Sequence, residues 1–283
     1  MELEITKQDF ERAVPAAREP KGRIFDVLED AIKTELSYLE EQYLGDIGAQ
    51  AVEAAAMPSA SPNGLALLHT VKQLACIRAF LSEMRSLDLV LTATGFGVVS
   101  TNDTAPASKQ RVDALDGQLR RKERLLLGTL LERLFRVPGW NQQVQRLWHV
   151  PTLFYNIQQL ETCAGINHPK PEDWDAAVPT ILEADAFLRK HLGHAYMDEL
   201  LQQLTSHSAS ADNRAIAMIC MKYIGACIAQ NNRLKEELYM QMINCMESNL
   251  DRYPTYANGE GYRLNHFAPY ENHAEDSAFH FVG

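Results

Sequence analysis

The chain has 283 residues, 46% of them hydrophobic and 23% charged, with a net charge of −10, so it can bury a sizeable core in one or two units. That acidic balance excludes broad attraction to nucleic-acid phosphates unless basic residues gather on one face. The polar, acidic start has no basic region followed by an apolar run, and no window approaches about eighteen uninterrupted apolar residues, so neither an export signal nor a membrane span is expected.

The first expected element is a helix from Ile24, with Val27, Leu28, Ala31, Ile32, Leu36, Leu39 and Tyr43 at helical spacing and Gly45 as its stop. Asp46 to Gly64, with Pro58 and Pro62, reads as a connector with a helical start at "AQAVEAAA". A second helix is expected from Leu65 to about Leu87, burying Leu68, Val71, Ala75, Leu81 and Met84. Next comes a stretch of different character, "LDLVLTATGFGVVSTNDTAPASKQR". Its β-branched flanks and glycine-containing centre predict a hairpin or bent strand over 89–101. Two strands are marginal alone. Such an element must therefore lie on its own helices or offer its edges to another chain.

Ser108 is placed to cap the third expected helix, which runs towards Phe135 and stops at Val137-Pro138-Gly139. It carries Lys109, Arg111, Arg120, Arg121, Lys122, Arg124, Arg133 and Arg136 against Asp113, Asp116, Glu123 and Glu132, a local basic surface in an acidic protein. A solvated face with helical pairs such as Asp116 to Arg120 explains it. The functional alternative is a contact for an acidic partner or passing DNA. Residues 140–173 are apolar enough to pack, although three prolines suit a linker.

Trp174 to Gly193 is again a helix ending in Leu-Gly. A shift of 148 residues places Glu35 on Glu183, Leu39 on Phe187 and the first Leu-Gly stop on the second. It also lays one connector over the other, the signature of a repeated supersecondary unit. The chain therefore divides into an N-terminal unit, 1–148, and a C-terminal unit, 149–283, whose tail, 253–283, lacks helical period and closes on a short strand at 278–282.

Catalytic signatures are weak throughout. Gly95-Phe96-Gly97 lacks the third glycine of a dinucleotide fingerprint, and no phosphate loop, nucleophile elbow or His-Glu-x-x-His run occurs. His191 and His194 are one turn apart, but Gly193 interrupts the helix between them, and histidines at a helix C-terminus are favoured by its dipole. His266, His273 and His280 recur beside Glu271, Glu275 and Asp276 without an evident rigid frame for zinc. Cys220 and Cys227 share a helix face with apolar neighbours and read as core. The odd set of five cysteines favours reduced thiols and a cytoplasmic setting. Asn102-Asp103-Thr104 reads as turn chemistry. No enzyme, cofactor or metal is expected.

The order of a Leu-Gly-terminated helix, polar connector, helix, "TGFGVVS" and then "APASKQR" opening a basic helix resembles structural proteins of tailed phages and prophages of gut Bacteroidetes. These in turn resemble helical head-to-tail adaptor, or connector, proteins beneath the portal. The resemblance is strongest over Leu89 to Leu115 and extends to "VPTLFYNIQQ" and "APYENHAEDSAFHFVG". It implies a mainly α, non-enzymatic virion component, made in the host cytoplasm, that self-associates into a ring contacting portal and tail or neck proteins. The implied contacts are the β element (Val90, Thr94, Gly95, Phe96, Gly97, Val98), the basic helix (Lys109, Arg111, Arg120, Arg121, Arg124) and the tail (Tyr262, Phe267, Tyr270, Phe279, Phe281). Adaptors of this kind are commonly one small helical unit, and this chain holds two. It would therefore meet a twelvefold portal with twelve copies or with six. The alternatives are another helical scaffolding, regulatory or tail-completion protein, or a metal enzyme using the histidines.

Overall fold

The computed structural model describes residues 3–17, 23–87, 89–92, 95–98 and 108–266. The molecule is mainly helical. Helix α1, Lys7–Ala13, opens with a capping box in which the Thr6 side chain accepts from the Asp9 N–H and the Asp9 carboxylate accepts from the Thr6 N–H. Asp9 also takes the Lys72 ammonium at 2.9 Å, tying α1 to the core. Phe10 sits between the rings of Phe25 and Phe80, at 6.1 and 6.3 Å.

Helix α2, Arg23–Leu39, runs into a π-helical turn, Glu40–Leu44, which ends at Gly45 with φ 58°. The next helix, α3 (Gly45–Ala55), occupies most of what the sequence suggests is connector. Small residues explain the difference, because Ala49, Val52 and Ala55 press on α4 (Pro62–Glu83) and little of the polar pattern remains. Ser61 caps α4 by accepting the Gly64 N–H at 3.1 Å.

By length and composition α4 is apolar enough to cross a membrane, although polar residues interrupt its apolar run. In this fold it is the central helix of the N-terminal half, packed on α1, α2, α3 and α5 (Lys109–Leu134). Its Arg78 bridges Glu35 of α2 and Glu123 of α5 at 2.6 and 2.5 Å and lies over the Tyr38 ring.

Between α4 and α5, Leu89–Thr92 (β1) runs antiparallel to Gly95–Val98 (β2), with Leu89 opposite Val98. This short pairing does not establish the expected hairpin. Its turn residues 93 and 94, and all of 99–107, lie outside the described residues.

Residues 135–157 cross to the second half through the short helix α6, Val144–His149. They pack, with Trp140, Leu153, Phe154 and Ile157 buried. Helix α7, Gln158–Ala164, then leads to α8 (Pro171–Leu192), α9 (His194–Thr205), α10 (Ala211–Ile228) and α11 (Asn232–Glu247). The order α8, Gly193 at φ 93°, α9, Ser210-capped α10, α11 parallels α2, Gly45, α3, Ser61-capped α4, α5. In each set the third helix packs on the first and on the fourth. One apolar core runs through both halves.

The irregular arm expected from residue 253 is corrected for its first part. Pro254–Ala257 (α12) and Glu260–Asn265 (α13) are helical. Tyr253 and Tyr256 are buried beside Tyr196, and Gly261 meets the end of α8 so closely that a Cβ there would lie 2.4 Å from the Leu192 carbonyl carbon. Aromatic anchoring, which has no period to read, holds this segment down. The expected strand at 278–282 lies outside the described residues.

Candidate interaction surface

The basic helix α5 spends much of its charge inside the molecule. Arg120 pairs with Asp116 at 2.9 Å, and that carboxylate raises its pKa. Arg121 reaches His168 at 3.3 Å, Arg124 reaches Asp175 of α8 at 3.2 Å, and Lys122 donates to the Ala13 carbonyl at the end of α1. Burial lowers the Lys122 pKa. Arg133 donates to the Ala66 carbonyl and the Thr70 hydroxyl. Lys109 and Arg111, at the exposed start of the helix, face solvent. Of the expected basic residues, Lys109 and Arg111 are exposed, Arg120 and Arg136 are exposed with partners in Asp116 and Asn63, and Arg121 and Arg124 are drawn into contacts within the fold.

A different surface was not singled out by the sequence. Helix α6 is seated on the π-helical turn. Gln145 donates to the Glu41 carbonyl at 3.1 Å, His149 Nε2 to that of Gln42 at 2.9 Å, and Trp140 Nε1 to those of Tyr43 and Leu44 at 3.0 Å each. The His149 ring stacks on Tyr43 at 3.9 Å. Burial lowers the His149 pKa, so the ring is held neutral with Nε2 protonated, and burial pushes the Tyr43 phenol up to about 12. With its polar side chains turned inward, α6 points Val144, Leu147 and Trp148 outward, 46%, 59% and 55% exposed. Their i, i+3, i+4 spacing puts them on one face. The signal was legible as "VxxLW", but an apolar helical stripe ordinarily means core.

Trp148 continues this face into a cleft of about 230 Å³ between the two halves, formed by α5, residues 148–157 and the first part of α8. Phe154, stacked on Trp174 at 6.2 Å, and Leu127, Leu131 and Ile181 make its apolar walls, and Leu182 is half exposed at its edge. Gly128 lets Asn156 approach α5, since a Cβ there would lie 3.1 Å from that of Asn156. Asn156 and Gln159 fix the loop reciprocally. Gln159 Oε1 accepts the Asn156 N–H at 3.0 Å, and Asn156 Oδ1 accepts the Gln159 N–H at 3.2 Å. Tyr155 donates to Glu132, and burial followed by that carboxylate raises its pKa. Among the described residues lining the cleft, Arg124 is the only charged side chain once His149 is neutral.

Behind α6, Arg189 of α8 joins Asp185 at 2.7 Å and Asp198 of α9 at 2.6 Å, with the Pro151 carbonyl at 3.5 Å. Burial raises the Asp185 pKa against the pull of Arg189, and its Oδ1 is buried without a partner.

The remaining expectations fall as follows. Tyr262 is half-buried, its ring stacked on His266 at 4.1 Å and edge-on to Tyr256 at 5.6 Å. Backbone pairing is described at Val90, Gly95, Phe96, Gly97 and Val98; Thr94, Phe267, Tyr270, Phe279 and Phe281 lie outside the described residues. His191 meets Tyr239 and Asn265 rather than His194, and His266 pairs with Glu247 at 3.4 Å. Among the described residues no group of three or more His, Cys, Asp or Glu is placed to hold a metal. Cys220 is fully buried beside Met242, its thiol pushed up to about 12 by burial.

A family of unknown function (DUF6712) matches residues 24–148, less than half of the chain. No curated protein and no solved structure matches.

Proposed function

We propose that the protein is a non-enzymatic assembly component, a head-to-tail connector that forms a ring between portal and tail. The observation that carries the interaction reading is the outward apolar face of α6, Val144, Leu147 and Trp148, continuous with a cleft edged by Leu182. Contiguous exposed apolar surface of this kind marks contact with other macromolecules. The connector reading adds to this the resemblance carried by Leu89 to Leu115 and by the tail. In it, the β1–β2 segment and the residues after His266 act as arms to adjacent subunits, and Lys109 and Arg111 meet portal, neighbour or DNA. The chain is two related helical units, 1–148 and 149–283. The parallel order of α2–α5 and α8–α11, and a family match that ends at residue 148, support that division.

Quantitative mass spectrometry of purified particles tests the proposal. A ratio to portal near one-to-one means twelve copies in the ring, and one-to-two means six duplicated chains. Absence from particles that contain portal overturns the reading and leaves a helical scaffolding protein of the cell.

A further inference from the structure

We infer that the cleft between α5, α6 and α8 is a receptor for the acidic, aromatic segment Glu275–Phe281 of this same chain. This rests on the reading of an interaction protein with arms and names what one arm engages. Three observations carry it.

The first is size. At about 230 Å³ the cleft falls below the roughly 300–1,000 Å³ of drug-sized ligand sites, and it suits one or two side chains. The second is chemistry. Trp148, Trp174, Phe154 and Leu182 offer aromatic and aliphatic contact, and Arg124 is the single charge among the described residues of the wall. Its partner Asp175 is 64% exposed, so an incoming carboxylate can replace it. The occupant that fits is an aromatic side chain with a carboxylate a few residues away, because rings stack on rings and the guanidinium takes a carboxylate in a planar fork. In "EDSAFHF", Glu275 and Asp276 precede Phe279 and Phe281.

The third is reach. The described chain ends at His266, where Asn265 donates to the His191 carbonyl at the C-terminal end of α8. The cleft lies on the first part of that helix, and Leu182 is about 14 Å of helix axis from His191. Phe279 lies thirteen residues beyond His266, a span of up to about 43 Å. That suffices for the cleft of its own molecule and for one on an adjoining copy.

The test uses the full chain with the photoreactive residue benzoylphenylalanine replacing Phe279, irradiated and mapped by mass spectrometry. Crosslinks to peptides containing Trp148 or residues 174–182 are expected, and crosslinks confined to other surfaces overturn the inference. Mixing isotopically heavy and light chains then shows whether the segment comes from its own or a neighbouring molecule, either of which is the proposed occupancy.

A second measurement does not depend on that variant. A fluorescent peptide of residues 271–283 is titrated into the full chain carrying Phe279→Ala and Phe281→Ala. Binding should weaken about tenfold or more when Leu182→Asp, at a half-exposed site, or Arg124→Glu is added. No binding, or binding indifferent to both changes, overturns the inference. If the peptide binds but the protein is absent from particles, the connector proposal fails and the receptor cleft stands.

Discussion

His149 couples the fold to pH. Burial holds its pKa below the ordinary 6.5, so the unfolded chain binds a proton over a pH range in which the folded one does not. Stability therefore falls as pH drops from about 6.5 towards the depressed folded value, and levels off below it. Urea midpoints at stepped pH should show this slope for the native chain and a shallower one for His149→Gln, which keeps a donor for the Gln42 carbonyl. Gly225 is a steric case. A Cβ there would lie 2.2 Å from the Cys163 carbonyl oxygen, where α10 crosses α7. Gly225→Ala should cost about 1–3 kcal/mol or more in denaturant unfolding, because backbone rather than a movable side chain is in the way. Arg189→Met should cost about 3–5 kcal/mol, since it strands the buried Asp185 carboxylate, and Asp185→Asn in the same chain should recover part of the loss. The sequence offered no means of finding His149 and Gly225, whose roles are set by Gln42 and Cys163 far along the chain, whereas Arg189 and Asp185 stand at helical i, i+4 spacing and only their burial was not legible.

At the scale of elements, the long helices were legible because their apolar positions repeat with helical period, as at Leu28, Ile32, Leu36 and Leu39, all buried. Helix α3 was only partly legible, since alanine and glycine pack closely without standing out as apolar. Helices α12 and α13 were missed because tyrosines and close glycine contacts fix them. The candidate surface was missed for the opposite reason: the stripe on α6 was visible, but periodicity does not say which way a stripe faces. Its orientation comes from the carbonyls of the π-helical turn, which capture Gln145 and His149 and turn the apolar side to solvent. Leu147→Glu should therefore leave stability nearly unchanged, within about 0.5 kcal/mol, in thermal unfolding, and on the connector proposal it should lower incorporation into particles relative to portal.

The whole molecule is held across its middle by packing rather than by a flexible joint. Leu153, Phe154 and Ile157 are buried in the core that both halves share, and Arg124 to Asp175 bridges α5 to α8 at the surface. A fragment ending at residue 148 would bare the face of α5 that Asn156 and Phe154 cover. It should unfold at lower urea than the full chain and expose more apolar surface to a hydrophobic dye, even though helices α1 to α5 are complete in it.

Helix α4 bears on how the chain is made. A segment apolar enough for a bilayer is a hazard while it emerges from the ribosome, since targeting factors and aggregation compete for it. Here α1, α2 and α3 are all translated first, and each packs on α4. Synthesis from the N-terminus thus delivers the hydrophobic helix after three of the helices it packs on, with α5 following it.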